Sequence, residues 1–103
     1  MKPKRGYWGI LERDFQAEVV KAARTLGWLC YDTWNSQHSP KGWVDLVLIR
    51  GDRCLFRELK GIDIHGNRGD TTDEQDECIA ALTIAGQDAD VWYPDSPWLE
   101  ELA

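Results

Sequence analysis

The first regular pattern along the chain is a stripe of apolar residues with helical spacing. The stripe recurs every three or four residues, which is the period of an amphipathic helix that buries one face. Its members are Leu11, Phe15, Val19, Ala22 and Leu26. Gly27 follows directly, where a glycine often ends a helix. The pattern predicts a first helix over residues 11–26.

Four short segments then have the composition of β-strands: residues 28–33, 44–50, 53–60 and 89–93. Each is rich in aliphatic, aromatic or cysteine side chains and is bounded by turn-forming residues. Gly51-Asp52 joins the middle two, and such a link is typical of a type II′ hairpin turn. Residues 34–43 and the Gly-rich residues 61–71 are expected to be loops, the second of them mobile.

A second helix is predicted before the last strand. Thr72 can cap its first turn while the Gln75 side chain reaches back, as in a capping box. We expect the helix to end at Gly86 and to turn four side chains inward: Cys78, Ile79, Leu82 and Ala85. A short final helix begins near residues 96–97.

The element order is therefore α-β-β-β-α-β. It predicts one α/β domain over residues 11–103, with a mixed sheet flanked by helices. Residues 1–10 are expected to form a basic, disordered tail in front of this domain.

Charge is distributed unevenly along the chain of 103 residues, whose net charge is −6. Residues 1–69 contain all 12 Lys and Arg residues and 8 acidic residues, a net charge of +4. Residues 70–103 contain the other 10 acidic residues. Because nucleic acids are bound through positive charge, a nucleic-acid partner is expected to contact residues 1–69.

Other features exclude several classes of protein. No apolar run approaches the ~18 residues that a membrane helix needs, and no apolar signal core follows the basic N-terminus. The three cysteines lie 24 residues apart, without the close pairs of a structural zinc site. These features predict a cytoplasmic protein with reduced cysteines and no membrane partner.

The hairpin brings candidate chemistry together. If residues 51 and 52 form its loop, paired position numbers sum to 103 and Asp45 falls opposite Glu58, with their Cβ atoms ~5 Å apart. Lys60 points to the same face as Glu58. Two close carboxylates repel unless a proton or a cation lies between them, and hard oxygen ligands suit Mg²⁺ or Mn²⁺. The alternative is a structural ion pair between Lys60 and either acid, at the frayed end of a sheet.

Several motifs resemble the PD-(D/E)XK nuclease superfamily, and more narrowly its VRR-NUC branch in the small stand-alone form typical of phages. The central match is the string at residues 42–48, Gly-Trp-Val-Asp-Leu-Val-Leu, followed by Glu58-Leu59-Lys60. Glu12-x-x-Phe15-Gln16, the serines Ser36 and Ser39, Gly69-x-x-Thr72-x-x-Gln75 and residues 91–94 resemble further motifs in the family's order. Five positions depart from the family pattern: Asp32, Val44, Asp70, Asp73 and Cys78.

The resemblance implies a restriction-endonuclease-like fold and a role for each matching residue. Asp45, Glu58, the Leu59 carbonyl and Glu12 would hold the metal ion, Mg²⁺ or Mn²⁺. Lys60 would serve the attacking water. Gln75 would support the site from the second helix.

The leading hypothesis is therefore a metal-dependent endodeoxyribonuclease for structured DNA, such as flaps or junctions, in phage replication, recombination or repair. A homodimer is expected, because cleavage of two strands needs two sites and twofold symmetry suits a symmetric junction. The alternative is a catalytically silent module that binds nucleic acid or protein on the same fold. Divalent-metal binding would distinguish the two.

Overall fold

The computed structural model describes residues 1–32 and 40–103. A mixed four-stranded sheet forms its centre, in the order β1-β2-β3-β4, with helices against it. The elements are a 3₁₀ turn (Arg5–Tyr7), α1 (Glu12–Thr25), β1 (Leu29–Asp32), β2 (Leu46–Arg50), β3 (Arg53–Leu59), α2 (Asp73–Ile84), β4 (Asp88–Trp92) and α3 (Trp98–Leu102). The predicted α/β class, element order and mixed sheet are confirmed.

The hairpin between β2 and β3 has the predicted register. Pairing runs from Arg50–Arg53 to Leu46–Arg57, so position numbers sum to 103. Gly51 has a φ of +59°, as the first loop residue of a type II′ turn requires. β1 pairs antiparallel with β2, whereas β4 pairs parallel with β3. The parallel pair needs a crossover between its strands, and α2 supplies it.

The core lies between one face of the sheet and helices α1 and α3. Leu46, Leu48, Leu55 and Leu59 alternate along the hairpin on this face, as the two-residue period of a strand requires. From α1 the buried side chains are Phe15, Val19 and Ala23, and from α3 they are Trp98 and Leu102. The predicted stripe of α1 is therefore wrong at its ends, because Leu11 and Leu26 are exposed.

An arginine lies within this core at a position that faces α3. The Arg57 side chain is 2% exposed and is held by Asp88 at 2.8 Å and Glu101 at 3.2 Å. It also lies over the Trp92 ring, whose Nε1 donates to Glu101 Oε2 at 3.0 Å. The ion pairs offset the cost of burying the charge and attach α3 to the sheet.

Helix α2 begins with the predicted capping box. The Thr72 side chain accepts from Gln75 N, and Gln75 Oε1 accepts from Thr72 N. The predicted inward face is only half-covered: Cys78, Ile79 and Leu82 are partly buried, no residue of α2 is fully buried, and the prediction is wrong for Ala85, which is exposed. The reason is that α2 packs mainly against β4 at the edge of the sheet, which leaves its apolar side chains half-covered.

The N-terminal residues pack against residues 61–69, so neither segment has the form predicted for it. Gly9 N donates to Ile62 O at 3.0 Å, and Ile62 N donates to Ile10 O at 3.0 Å. Trp8 Nε1 donates to the carbonyl of the buried Pro3. Residues 61–69 close on themselves through an Ile62–Arg68 bridge. The predicted disordered tail and mobile loop were wrong because contacts between distant segments order both.

Within the described ranges, no helix combines the length and the apolar composition that crossing a bilayer would need.

Candidate metal centre

Three carboxylates from three elements meet at one end of the sheet. Glu12 is the first residue of α1, Asp45 directly precedes β2, and Glu58 lies near the end of β3. One carboxylate oxygen of each lies within 4.8 Å of the other two. The sequence had placed Asp45 and Glu58 together through the hairpin, whereas Glu12 had joined them only through the family resemblance.

Glu58 is the most deeply buried member. Its side chain is 2% exposed, and its Oε1 accepts a hydrogen bond from Gln75 Nε2 at 2.9 Å. Its Oε2 is buried without a donor among the described residues. Burial and the neighbouring Asp45 raise the pKa of Glu58 to about 9, against the weaker opposing effect of Lys60. In the metal-free protein at neutral pH, Glu58 is therefore protonated and can donate to Asp45.

The Asp45 side chain is held by a hydrogen bond from β3, because Asp45 itself lies outside the paired residues of β2. Its Oδ2 accepts a hydrogen bond from Leu59 N at 2.8 Å, just beyond the last paired residue of β2. This bond holds the carboxylate beside Glu58. The predicted mutual repulsion of two ionised acids is relieved in the metal-free protein, because the raised pKa of Glu58 leaves one proton on the pair.

Lys60 directs its ammonium group into the same cluster. Its Nζ lies 3.9 Å from Glu12 Oε1 and 3.9 Å from Glu58 Oε1, and its side chain is 15% exposed. These separations are ion-pair distances and are too long for hydrogen bonds. Among the described residues Lys60 pairs with Glu12 and Glu58, so the ion pair of the alternative interpretation is present with Glu58 and not with Asp45.

Gln75 connects the start of α2 to the carboxylates. Its side-chain oxygen is held by the Thr72 backbone in the capping box, which leaves the amide nitrogen free to donate to Glu58. The capping motif that the sequence predicted therefore also orients Gln75 toward the acidic cluster. Its hydrogen bond restrains the orientation of the Glu58 carboxyl group.

Glu12 is brought to the sheet by a close approach of backbones at Gly61. A Cβ at position 61 would lie 2.6 Å from Ile10 O and 2.8 Å from Glu12 N, distances that only a glycine allows without movement. Burial, and then the charge of Asp45, raise the pKa of Glu12 above its ordinary value. Gly61 therefore fixes the distance between the start of α1 and the end of β3, and sequence spacing gave no sign of this.

The donor set fits a hard divalent cation. Mg²⁺ and Mn²⁺ prefer carboxylate and carbonyl oxygens, and the three acids supply such ligands within 4.8 Å of one another. The buried Glu58 Oε2 has a free acceptor position that a cation would satisfy. Leu59 lies between Glu58 and Lys60 at the end of β3, and its carbonyl is the fourth expected ligand. Ser36 and Ser39, the serines of the family resemblance, lie outside the described residues.

A comparison with solved structures finds similarity to Hjc, a Holliday junction resolvase from the archaeal hyperthermophile Archaeoglobus fulgidus. The two proteins share 22% sequence identity over 82% of this chain and 67% of that chain, with a TM-score of 0.46. No protein-family model and no curated protein matches the chain. The functional assignment therefore depends on the chemistry of the acidic cluster.

Proposed function

We propose that the protein is a divalent-metal-dependent endonuclease that hydrolyses phosphodiester bonds in structured DNA. The observation that carries this proposal is the juxtaposition of Glu12, Asp45 and Glu58 with the Lys60 ammonium group. Three acids that can hold one cation beside one lysine form the arrangement that phosphodiester hydrolysis needs, because charge must be neutralised while water attacks.

In this proposal Glu12, Asp45, Glu58 and the Leu59 carbonyl hold Mg²⁺ or Mn²⁺. Such an ion supplies positive charge to the phosphate and activates water. The protonated Glu58 of the metal-free protein must lose its proton before it can serve as a full ligand, so metal binding releases a proton.

The remaining side chains act around the ligands. Lys60 is close enough to the cluster to orient the attacking water or to stabilise the negative charge that develops on the phosphate. Gln75 holds Glu58 in one orientation through its hydrogen bond. Gly61 keeps Glu12 within reach of the other two acids.

Two finer parts of the proposal rest on the family resemblance in the sequence: membership of the VRR-NUC branch with a restriction-endonuclease-like fold, and action on flaps or junctions in phage replication, recombination or repair. The strict order of the Asp45, Glu58-x-Lys60 and Gln75 motifs supports these two. We also propose a homodimer, because cleavage of two strands of a symmetric junction needs two sites, and a cytoplasmic location.

The test is cleavage of branched, single-stranded and duplex DNAs of the same sequence, with Mg²⁺, Mn²⁺ or a chelator. We expect metal-dependent cleavage, strongest on branched DNA. Lys60→Ala should lose at least ~100-fold of the rate, as expected for loss of a group that stabilises the transition state.

Lys41→Ala is the matched control, because Lys41 pairs with Glu74 on the surface and lies outside the cluster. It should cleave like the parent. Binding of DNA without cleavage under any metal condition would contradict the endonuclease and favour the silent binding module. Equal cleavage by Lys60→Ala would mean that the activity does not come from this site.

A further inference from the structure

We propose that an open groove along α1 binds the phosphate backbone of the DNA on one side of the cleavage site. This inference rests on the proposed function and names the surface that holds the substrate. The groove has a volume of about 760 Å³. The residues that line it are Arg13, Gln16, Ala17, Val20, Lys21, Arg24, Thr25 and Asp32.

The geometry of the helix connects this groove to the acidic cluster. Residues four apart lie on the same face of a helix, one above the other. Glu12, a member of the cluster, lies one turn before Gln16, which lines the groove together with Val20 and Arg24 further along the helix. A neighbouring row of the helix carries Arg13 and Lys21. A strand that follows the groove therefore leads to the carboxylates.

Two of the three cations in the groove have no ion-pair partner among the described residues, and the third has an exposed one. Neither Lys21 nor Arg24 has an acidic partner within 4.0 Å among the described residues. Arg13 contacts only its neighbour Asp14, at 3.6 Å, and both side chains are mainly exposed. Asp32 is the acidic residue that lines the groove, and because it pairs with Leu46, the residue after Asp45, it lies at the end of the sheet that carries the carboxylates.

Elsewhere, several cations are occupied by the acidic C-terminal third of the chain. Lys41 pairs with Glu74, Arg57 with Asp88 and Glu101, and Arg68 with Asp95. Arg50 and Arg53 lie over the Trp28 ring. The positive net charge of residues 1–69 is therefore partly used within the fold, whereas the α1 groove keeps Lys21 and Arg24 without an acidic partner among the described residues, beside Arg13 in its exposed pair with Asp14.

The length of the groove suits several nucleotides. Arg13 and Arg24 are 11 residues apart, which at a rise of about 1.5 Å per residue is roughly 16 Å along the helix axis. A strand of duplex DNA advances about 3.4 Å per nucleotide along its axis. The groove can therefore follow the backbone over about five nucleotides.

The experiment compares Lys21→Gln with Lys41→Gln, which remove the same charge from two exposed positions, and adds the double variant Lys21→Gln/Arg24→Gln. Binding of a fluorescent four-way junction is measured in chelator over a range of salt concentrations, so that cleavage plays no part. Circular dichroism confirms that each variant is folded.

We expect Lys21→Gln to weaken binding about tenfold near 0.1 M salt and to reduce the slope of log K against log salt by about 0.9, with twice that change in slope for the double variant. Lys41→Gln should match the parent. Cleavage at saturating DNA should persist in the groove variants. If the parent binds and cleaves DNA, but the groove variants bind with the same affinity and salt slope as Lys41→Gln, the groove is overturned and the proposed function stands. A parent that neither binds nor cleaves DNA would overturn both.

Discussion

The metal-free protein should lose stability as pH rises, because Glu58 holds a proton in the folded protein that it releases on unfolding. Its pKa is raised from the ordinary 4.5 to about 9, first by burial and then by Asp45. Between these two values the folded state binds one more proton than the unfolded chain. The free energy of unfolding should therefore fall by about 1.4 kcal/mol for each pH unit. This stabilising contribution is complete below pH 4.5 and lost above about pH 9.

The other groups of the described residues whose pKa is shifted do not reverse this trend. The pKa of Glu12 is also raised, first by its burial, so its titration acts in the same direction. The pKa values of Asp63 and Glu74 are lowered, chiefly by hydrogen bonds from the backbone, so their contributions change only at more acidic pH. From about pH 5 to about pH 8 the expected loss from Glu58 is up to about 4 kcal/mol.

The substitution Glu58→Gln tests this magnitude. The amide keeps the size of the side chain, can accept from Gln75 and can donate to Asp45, so it reproduces the protonated acid. Urea unfolding in chelator should give the variant a nearly constant free energy of unfolding from about pH 5 to about pH 8. The parent should be equally stable at the acidic end and less stable by up to about 4 kcal/mol at the basic end.

Glu77→Gln is the matched control, because it removes the same charge from an exposed position on α2. It should follow the parent at every pH. The reasoning would be refuted if the parent showed no decline, or if Glu58→Gln declined as steeply as the parent. Either result would mean that Glu58 is ionised in the folded metal-free protein.

Two further predictions follow from packing around the site and the core. Gly61→Ala should destabilise the protein by about 2 kcal/mol and weaken Mn²⁺ binding, because the new methyl group would push the backbone at Ile10 and the start of α1 away from the sheet. Glu101→Ala should cost about 2 kcal/mol of stability with little effect on cleavage, because Arg57 would lose one of its two acidic partners in the core. Urea unfolding, Mn²⁺ titration and cleavage assays measure these changes. Gly6→Ala is the control for Gly61→Ala, since a Cβ at Gly6 meets nothing within 4 Å. Glu100→Ala is the control for Glu101→Ala, since Glu100 is exposed. A variant that unfolded like its own control would contradict the corresponding prediction.

The sequence was most informative where local chemistry determines geometry. The Gly51-Asp52 link set the register of the hairpin, and that register was enough to bring Asp45 and Glu58 to the same end of the sheet. The capping box at Thr72 and Gln75 was also readable, because it involves residues only three positions apart. Both features depend on short-range hydrogen bonding rather than on the packing of distant elements.

Features that depend on packing between distant segments were missed. The N-terminal residues have a basic composition typical of a tail, but hydrogen bonds to Ile62 order them. Arg57 lies on the core-facing side of β3 in alternation with Leu55 and Leu59, and Asp88 and Glu101, both distant in the sequence, make that position tolerable for a charge. The apolar side chains of α2 are only half-covered because the helix packs at the edge of the sheet. No pattern within the helix reveals that position.

A calorimetric titration of Mn²⁺ into the parent and into Asp45→Asn tests whether Glu12, Asp45 and Glu58 form one divalent-metal site. Asparagine keeps the shape of the side chain and can still accept from Leu59 N, but it removes one charged ligand. We expect the parent to bind Mn²⁺ at a single site with millimolar or tighter affinity and to release protons on binding. We expect Asp45→Asn to lose that site. A parent that takes up no Mn²⁺, or a variant that binds Mn²⁺ as tightly as the parent, would contradict the proposed metal site.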